Sequence, residues 1–453
     1  MRNSKYLLAA LTLTVAAAAQ SKNGIEPDAG TWHTWLVDNV TDYRSPAPPN
    51  RAASEQEAKD LEAIAANRNA DAFAEIEFWN AGSPAYRWIQ FAQQEVNAHA
   101  LGGPAATRAM SLVAAALNDA IIAAWDSKYT YNRPRPSHLD KHLHSAVPVP
   151  DSPSYPSDYA AAASVSAAVL NYLFPDDKAA IDTMASRAAQ SRIDAGVEFP
   201  SDAAAGAALG TAIGNVAILH AQNDGFTTPF TGSFPPSPGV WSNASPSFPL
   251  AGMWKPWALS SGSQFRLSAP PAFASGDFQK QVDAVKQFPR TVDTNHTAWF
   301  WQPSFIDPWI DLANRFLVES GYVFDAPKVA QTYALAMIAQ HDATIACWDT
   351  KYTWLELRPV MADPATTTLF PTPAHPSFPS GHACASGAAG VALSAVFPDA
   401  ATYFGARARE AGLSTFYSGV HYPNDVDQGL ALGQAVAKVV IAKAALEVHN
   451  EQY

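Results

Sequence analysis

The chain repeats itself at a fixed register. Residues 116–136, "ALNDAIIAAWDSKYTYNRPRP", lie over 339–359, "AQHDATIACWDTKYTWLELRP". Residues 152–177, "SPSYPSDYAAAASVSAAVLNYLFPDD", lie over 375–400, "HPSFPSGHACASGAAGVALSAVFPDA". Residues 191–210, "SRIDAGVEFPSDAAAGAALG", lie over 414–433, "STFYSGVHYPNDVDQGLALG". All three blocks keep one offset of 223 residues without a gap, so Trp125, Lys128, Arg135 and Pro136 fall on Trp348, Lys351, Arg358 and Pro359. Shared helical composition does not hold such a register over three blocks, whereas a duplication does. Whatever one copy folds into, the other must fold into as well.

Each copy is rich in Ala, Leu, Val and Ile, with apolar residues at three- and four-residue spacing in stretches such as "AQTYALAMIAQHDATIACW". The expected fold is therefore all-α, with two similar helical bundles over residues 76–222 and 276–453. Residues 223–275 between them are dense in Pro, Gly, Ser and aromatics. So long a stretch without helical periodicity is expected to be an ordered covering loop, because its aromatics need somewhere to bury. Residues 20–75 read as an N-terminal arm. The first 19, "MRNSKYLLAALTLTVAAAA", have the basic start, short apolar run and small-residue end of a cleaved signal peptide, which predicts a secreted or periplasmic protein.

Later segments contain no run of ~18 uninterrupted apolar residues, so no stable membrane span is expected. A formal net charge of −12 and only 15% charged residues argue against a nucleic-acid partner, which needs clustered Lys and Arg to neutralise phosphates. Any anion must be held in a local pocket. The second copy contains the parts of one. Lys351 and Arg358 are two fixed cations, and Pro359 stops a helix from continuing past the arginine. "PSGH" then offers the Ser380 hydroxyl and the Ser380 and Gly381 N–H groups at the entry to an alanine-rich helix, whose N-terminal dipole favours negative charge. His421, with Asp425 one turn later to fix its tautomer, and His382 supply two imidazoles. One is able to bond the central atom of an anion while the other moves protons.

The order Lys, six residues, Arg-Pro; then Pro-Ser-Gly-His; then Ser-x6-His, three residues, Asp resembles the superfamily of type 2 phosphatidic acid phosphatases, bacterial acid phosphatases and vanadium-dependent haloperoxidases. The duplicated, two-bundle length is similar to the haloperoxidases in particular. The resemblance implies that Lys351, Arg358, Ser380 and Gly381 bind the oxygens of vanadate or phosphate, and that His421 is the vanadate ligand or the phosphoryl acceptor. It further implies His382 as acid/base and Asp425 as the group orienting His421. Trp348 and His375 fall where haloperoxidases line the halide side, and a histidine at the latter place resembles the bromide-type enzymes.

One position departs from the pattern. The family's third block begins Ser-Arg, but Thr415 stands here, with Arg407, Arg409 and the covering loop as possible sources of a replacement cation. The first copy departs differently: it keeps Lys128, Arg135, Ser157, Arg192 and Asp202 but has Asp158 and Tyr159 for Gly-His and Glu198 for the second histidine. It reads as a scaffold half, with its cations paired internally to Asp158 and Glu198. Cys347 and Cys384 replace Ala124 and Ala161 of the first copy, which leaves two readings open, a disulfide or two buried thiols. The leading functional expectation is a haloperoxidase acting with vanadate, hydrogen peroxide and halide on a small-molecule substrate, bromide favoured. A phosphatase or diphosphate hydrolase with a phosphohistidine is the second, and a non-redox enzyme or binding protein on the same fold the third.

Overall fold

The computed structural model describes residues 25–445, so the leader-like segment lies outside the described residues. The first copy comprises α1 (Arg51–Ala66), α2 (Ala70–Trp79), α3 (Pro84–Ala98), α4 (Gly103–Tyr131), the short α5 (Pro136–Leu139), α6 (Asp158–Leu173), α7 (Lys178–Asp194) and α8 (Pro200–Gln222). The second comprises α9 (Gly276–Lys286), α10 (Val292–Trp301), α11 (Asp307–Glu319), α12 (Ala326–Trp354), the short α13 (Pro359–Ala362), α14 (Gly381–Val396), α15 (Ala401–Tyr417) and α16 (Pro423–Ala445). The described residues contain no β-strand, only two isolated bridges near residue 240. The all-α, two-bundle expectation holds.

The two copies meet along α4 and α12, each 29 residues long and buried on almost every face. A helix enclosed in this way is apolar all round, and α4 passes a test of length and hydropathy for crossing a bilayer. Its apolar window is 94% buried in protein, which makes it a core helix. The second helix that passes, α8, turns Leu209, Ile213 and Ala217 onto its own bundle.

Glycines let the innermost helices touch. A Cβ at Gly206 or Gly210 would overlap the carbonyl oxygens of Ser157 or Ala161, and one at Gly433 would overlap that of Cys384. The α6–α8 and α14–α16 pairs therefore pack backbone to backbone, directly behind the residues that open α6 and α14. Gly433→Ala is expected to cost about 1–3 kcal/mol by overpacking, even after alanine's ~1 kcal/mol gain in helix propensity. The midpoint of urea unfolding reads this; an unchanged midpoint would mean that the helices separate without cost.

The duplication extends further than the helices. Gly30, Trp32, Trp35 and Arg44 recur as Gly252, Trp254, Trp257 and Arg266, now at an offset of 222. Each segment is a strap across its long helix. The backbone N–H groups of Trp35, Leu36 and Val37 donate to Asp119 of α4, and those of Trp257, Ala258 and Leu259 donate to Asp342 of α12. Burial raises both carboxyls and the backbone donors partly offset it, leaving each pushed up to about 6. Arg44–Asp126 and Arg266–Asp349, each 2.7 Å, repeat the fastening about two turns further on. Each strap also reaches the opposite copy: Trp257 stacks on His220 at 4.2 Å, and Lys443 lies over Trp35.

Candidate active site

The site of the second copy forms where α12 ends, α14 begins and α15 turns into α16. α12 closes on Leu355 in the left-handed region, and an extended stretch delivers Arg358, which caps α13 with Pro359 as its first residue. Ser380 caps α14, its hydroxyl accepting from the Ala383 N–H. Gly381 follows because the Trp348 ring lies against it: a Cβ there would stand 3.2 Å from the indole. The first-turn N–H groups of Gly381 and His382 have no acceptor within the helix, as in any helix start.

The His421 ring is fixed from behind. Its Nδ1–H donates to Asp425 at 2.8 Å, which leaves the lone pair on Nε2. Asp425 also accepts from Ser377 Oγ at 2.6 Å and from the Tyr422 N–H at 3.2 Å. Arg358 Nη1 donates to the Val420 carbonyl at 2.7 Å and to His421 Nε2 at 3.0 Å, while Nη2 donates to His375 Nδ1 at 2.9 Å. Burial holds His421 and His375 well below the ordinary imidazole range, reinforced by Arg358 and Lys351, so both rings are neutral. His382 is lowered to about 4, mainly by burial. A carbonyl only accepts, so His382 Nε2 carries a proton donated to Trp301 O at 3.0 Å, and Nδ1 of the neutral ring keeps its lone pair.

Lys351 is fully buried, and Nζ donates to the carbonyls of Pro376 at 2.9 Å, Ser377 at 2.8 Å and Pro379. It thus ties the "PSFP" turn together and lends its charge from beneath. Among the described residues neither Lys351 nor Arg358 makes an ion pair, and burial lowers them to about 8 and about 10. The first copy contrasts: Lys128 meets Asp158 at 3.1 Å and Arg135 meets Glu198 at 3.2 Å, the internal pairing expected for it.

The cavity in front of these groups has a volume of about 310 Å³, and Trp348, His375, Gly381, His382, Thr415 and His421 line it. Arg358, Lys351, Ser380 and Asp425 stand behind that wall. Phe248 of the long loop and Phe305 shape the mouth, and the lining residues include no Asp, Glu, Lys or Arg. The replacement cation does not arrive: Arg407 pairs with Glu410 at 2.6 Å, Arg409 with Asp427 at 3.5 Å, and the loop presents Ser247 and Phe248. Thr415 Oγ1 donates to Gly412 O at 2.8 Å and so accepts from Ser380 Oγ at 3.0 Å. Cys347 and Cys384 are free, buried thiols at the back of the site, so the disulfide reading does not hold.

This donor set fits a tetrahedral oxyanion such as vanadate or phosphate. Two buried cations lack carboxylate partners, two helix N–H groups and a serine hydroxyl stand beside them, and one imidazole lone pair points among them.

Glu356 went unnoticed in the sequence. It lies two residues before Arg358, over Arg133 of the first copy, which pairs with Asp202 at 2.6 Å. In the second copy an acid meets an acid: Glu356 hydrogen-bonds Asp425, and burial together with that neighbour raises it well above the usual carboxyl range. Glu356 therefore holds the proton. An unfolded chain releases it above about pH 4.3. The stability it contributes is full below that value and is lost as pH rises to the folded titration, at about 1.4 kcal/mol per pH unit. Glu356→Gln keeps a donor toward Asp425 and has no proton to lose. Its thermal midpoint is expected to match wild type near pH 4 and to exceed it increasingly toward pH 7. A gap independent of pH would remove the proton from this position.

The family described as the PAP2 superfamily matches twice, over residues 108–225 and 329–446, one match per copy. No curated protein gives a match. Among solved structures, a bacterial vanadium-dependent iodoperoxidase superposes with a TM-score of 0.63 at 22% identity, covering 80% of this chain and 96% of its own. A bacterial vanadium-dependent chloroperoxidase in its apo form gives 0.58 at 14% identity, covering 77% and 95%. Its holo form gives 0.57 at 16%, covering 77% and 94%.

Proposed function

This chain belongs to the PAP2 superfamily, and from that premise we propose that it is a vanadate-dependent haloperoxidase, oxidising bromide in preference to other halides with hydrogen peroxide. The observation that supports this most directly is the neutral His421, Nε2 lone pair exposed to Arg358 and Nδ1–H fixed on Asp425, at the back of a cavity walled by Trp348 and His375. Arg358, Ser380 and the α14 N–H groups would hold vanadate oxygens, and His421 Nε2 would be the vanadium ligand. When bound, vanadate supplies the Lewis-acid activation of peroxide that no side chain here provides.

The remaining steps belong to the chain's own residues. Asp425 keeps the His421 proton on Nδ1, so Nε2 stays a ligand. His382 offers Nδ1 as the base that takes a proton from an incoming hydroperoxide, while Trp301 O keeps the opposite nitrogen protonated. Arg358 holds His375 through Nδ1, and Trp348 packs on the same ring at 5.0 Å, which places a rigid, apolar-faced pocket beside the anion for a weakly hydrated halide. On the leader-like pattern of residues 1–19 we also propose a secreted or periplasmic location.

The test loads purified protein with orthovanadate, desalts it, and follows peroxide-dependent bromination of a phenolic dye, with para-nitrophenyl phosphate hydrolysis by the vanadate-free protein run alongside. Bromination above chlorination is the expected result. Phosphate release without bromination would make the protein a phosphatase, with His421 Nε2 as nucleophile; neither activity would move it to non-redox chemistry.

A further inference from the structure

The duplication leaves a second cavity that no catalytic role accounts for. It lies in the first copy, has a volume of about 540 Å³, and is the counterpart of the site just described. Trp125 stands for Trp348, Asp158 for Gly381, Tyr159 for His382, Arg192 for Thr415 and Glu198 for His421. Even its roof repeats: Trp125 Nε1 and Tyr129 Oη donate to Ile25 O as Trp348 and Tyr352 do to Ser247 O. A degenerate half kept only as scaffold would be expected to fill such a space with side chains.

Its charge is reversed. Lys128 and Arg135, the cations of the old cradle, are matched by Asp158 and Glu198. Arg192 does not restore an anion site, because Nη1 donates to Asn80 Oδ1 at 3.0 Å, Nη2 donates to Ile76 O at 3.2 Å, and the guanidinium lies over the Tyr159 ring. What remains is acceptor capacity. Glu198 is 1% exposed, and its Oε2 has no hydrogen-bond partner although the residue lines the cavity. A buried carboxylate oxygen without a donor is costly unless something supplies one. Three further acids, Glu26, Asp151 and Asp325, line the cavity with the aromatic faces of Trp125, Tyr322 and Phe324. Aromatic walls around a carboxylate suit a cation that carries its own apolar body, through cation–π attraction and area burial. A bare metal ion would find no converging ligands: among the described residues no three of these carboxylates bring their oxygens together, Asp158 is held by Lys128, and Glu198 Oε1 by Arg135.

We propose that this cavity binds a small organic cation, a protonated amine with an aromatic or aliphatic body, which donates an N–H to Glu198 Oε2 and lays its body against Trp125 and Tyr159. The inference does not depend on the reaction proposed for the second copy. The test titrates the full chain calorimetrically with phenethylamine and with 2-phenylethanol as its neutral counterpart, each with and without saturating orthovanadate. The amine is expected to bind saturably and at least about tenfold more tightly than the alcohol. Glu198→Gln should weaken the amine by about tenfold or more, and orthovanadate should leave it unchanged. If Glu198→Gln does not fold, Asp325→Asn in the lining, which retains the helix-capping oxygen, should weaken the amine at least about threefold while the alcohol is unaffected. Absence of saturable binding at about 10 mM amine, equal binding of the alcohol, competition by orthovanadate, or stabilisation by calcium chloride but not by amine would each overturn the proposal.

Discussion

His421→Ala should abolish vanadate-dependent bromide oxidation, a loss of about a thousandfold or more, while the protein stays folded. Of the three rings only His421 has its far nitrogen fixed on a buried carboxylate, which keeps the Nε2 lone pair toward Arg358, and neither neighbour replaces it: His375 is bonded by Arg358 with no carboxylate behind it, and His382 is held through Nε2 by Trp301 O. Removing it also frees Asp425 from one hydrogen bond but leaves those from Ser377, Tyr422 and Glu356, and Arg358 Nη1 keeps the Val420 carbonyl. Circular dichroism should therefore be unchanged, and vanadium retained after desalting should fall with the activity. His382→Ala provides the contrast: it removes the proposed base but none of the anion's holders, so vanadium should remain bound while turnover falls by about 10²–10⁴. Equal bromination by wild type and His421→Ala would take the vanadium ligand away from this residue altogether.

The groups behind that prediction were legible because chemistry and duplication mark them together. Lys351, Arg358, Ser380 and Asp425 each have an identical counterpart 223 residues earlier, and Ser377, which grips Asp425, repeats as Ser154, which donates to Asp202. Positions where the copies differ then expose the specialisation: Gly381, His382 and His421 against Asp158, Tyr159 and Glu198. The helices were legible for a cruder reason, the apolar recurrence of buried segments. The straps were not, because their register shifts by one residue and their likeness rests on Gly30, two tryptophans and Arg44. Their structural content is backbone N–H groups given to Asp119 and Asp342, and backbone donors leave no trace in side-chain identity. Glu356 was missed although the aligned Arg133 signals a charge reversal; only packing shows that both reach the same aspartate position. The cysteines left two readings open for the same reason, since two alanines changing together indicate proximity, and proximity of buried thiols is not a bond.

Thr415→Arg should tighten vanadate binding by roughly ten- to a hundredfold, the worth of one charge-assisted contact of ~1.5–3 kcal/mol. The position lines the cavity, 3% exposed, and in wild type it only receives the Ser380 hydroxyl and passes a bond to Gly412. An arginine there would free the Ser380 hydroxyl for the anion as well as adding a cation. The first copy shows that the backbone carries arginine at this point, since Arg192 occupies the matching place. There the guanidinium is drawn away by Asn80 Oδ1 and Ile76 O; in the second copy Gln302, which follows α10 as Asn80 follows α2, lines the cavity and offers the matching side-chain amide. A charged oxyanion is a stronger acceptor than a neutral amide, so with vanadate bound the new guanidinium is expected to turn to the anion rather than to Gln302. Isothermal titration with orthovanadate measures the change directly, and the variant should lose vanadium more slowly on desalting. An unchanged Kd would show that Lys351 and Arg358 already satisfy the oxyanion, so that threonine costs this site nothing; a weaker one would show that the cavity of about 310 Å³ cannot hold both the side chain and the anion.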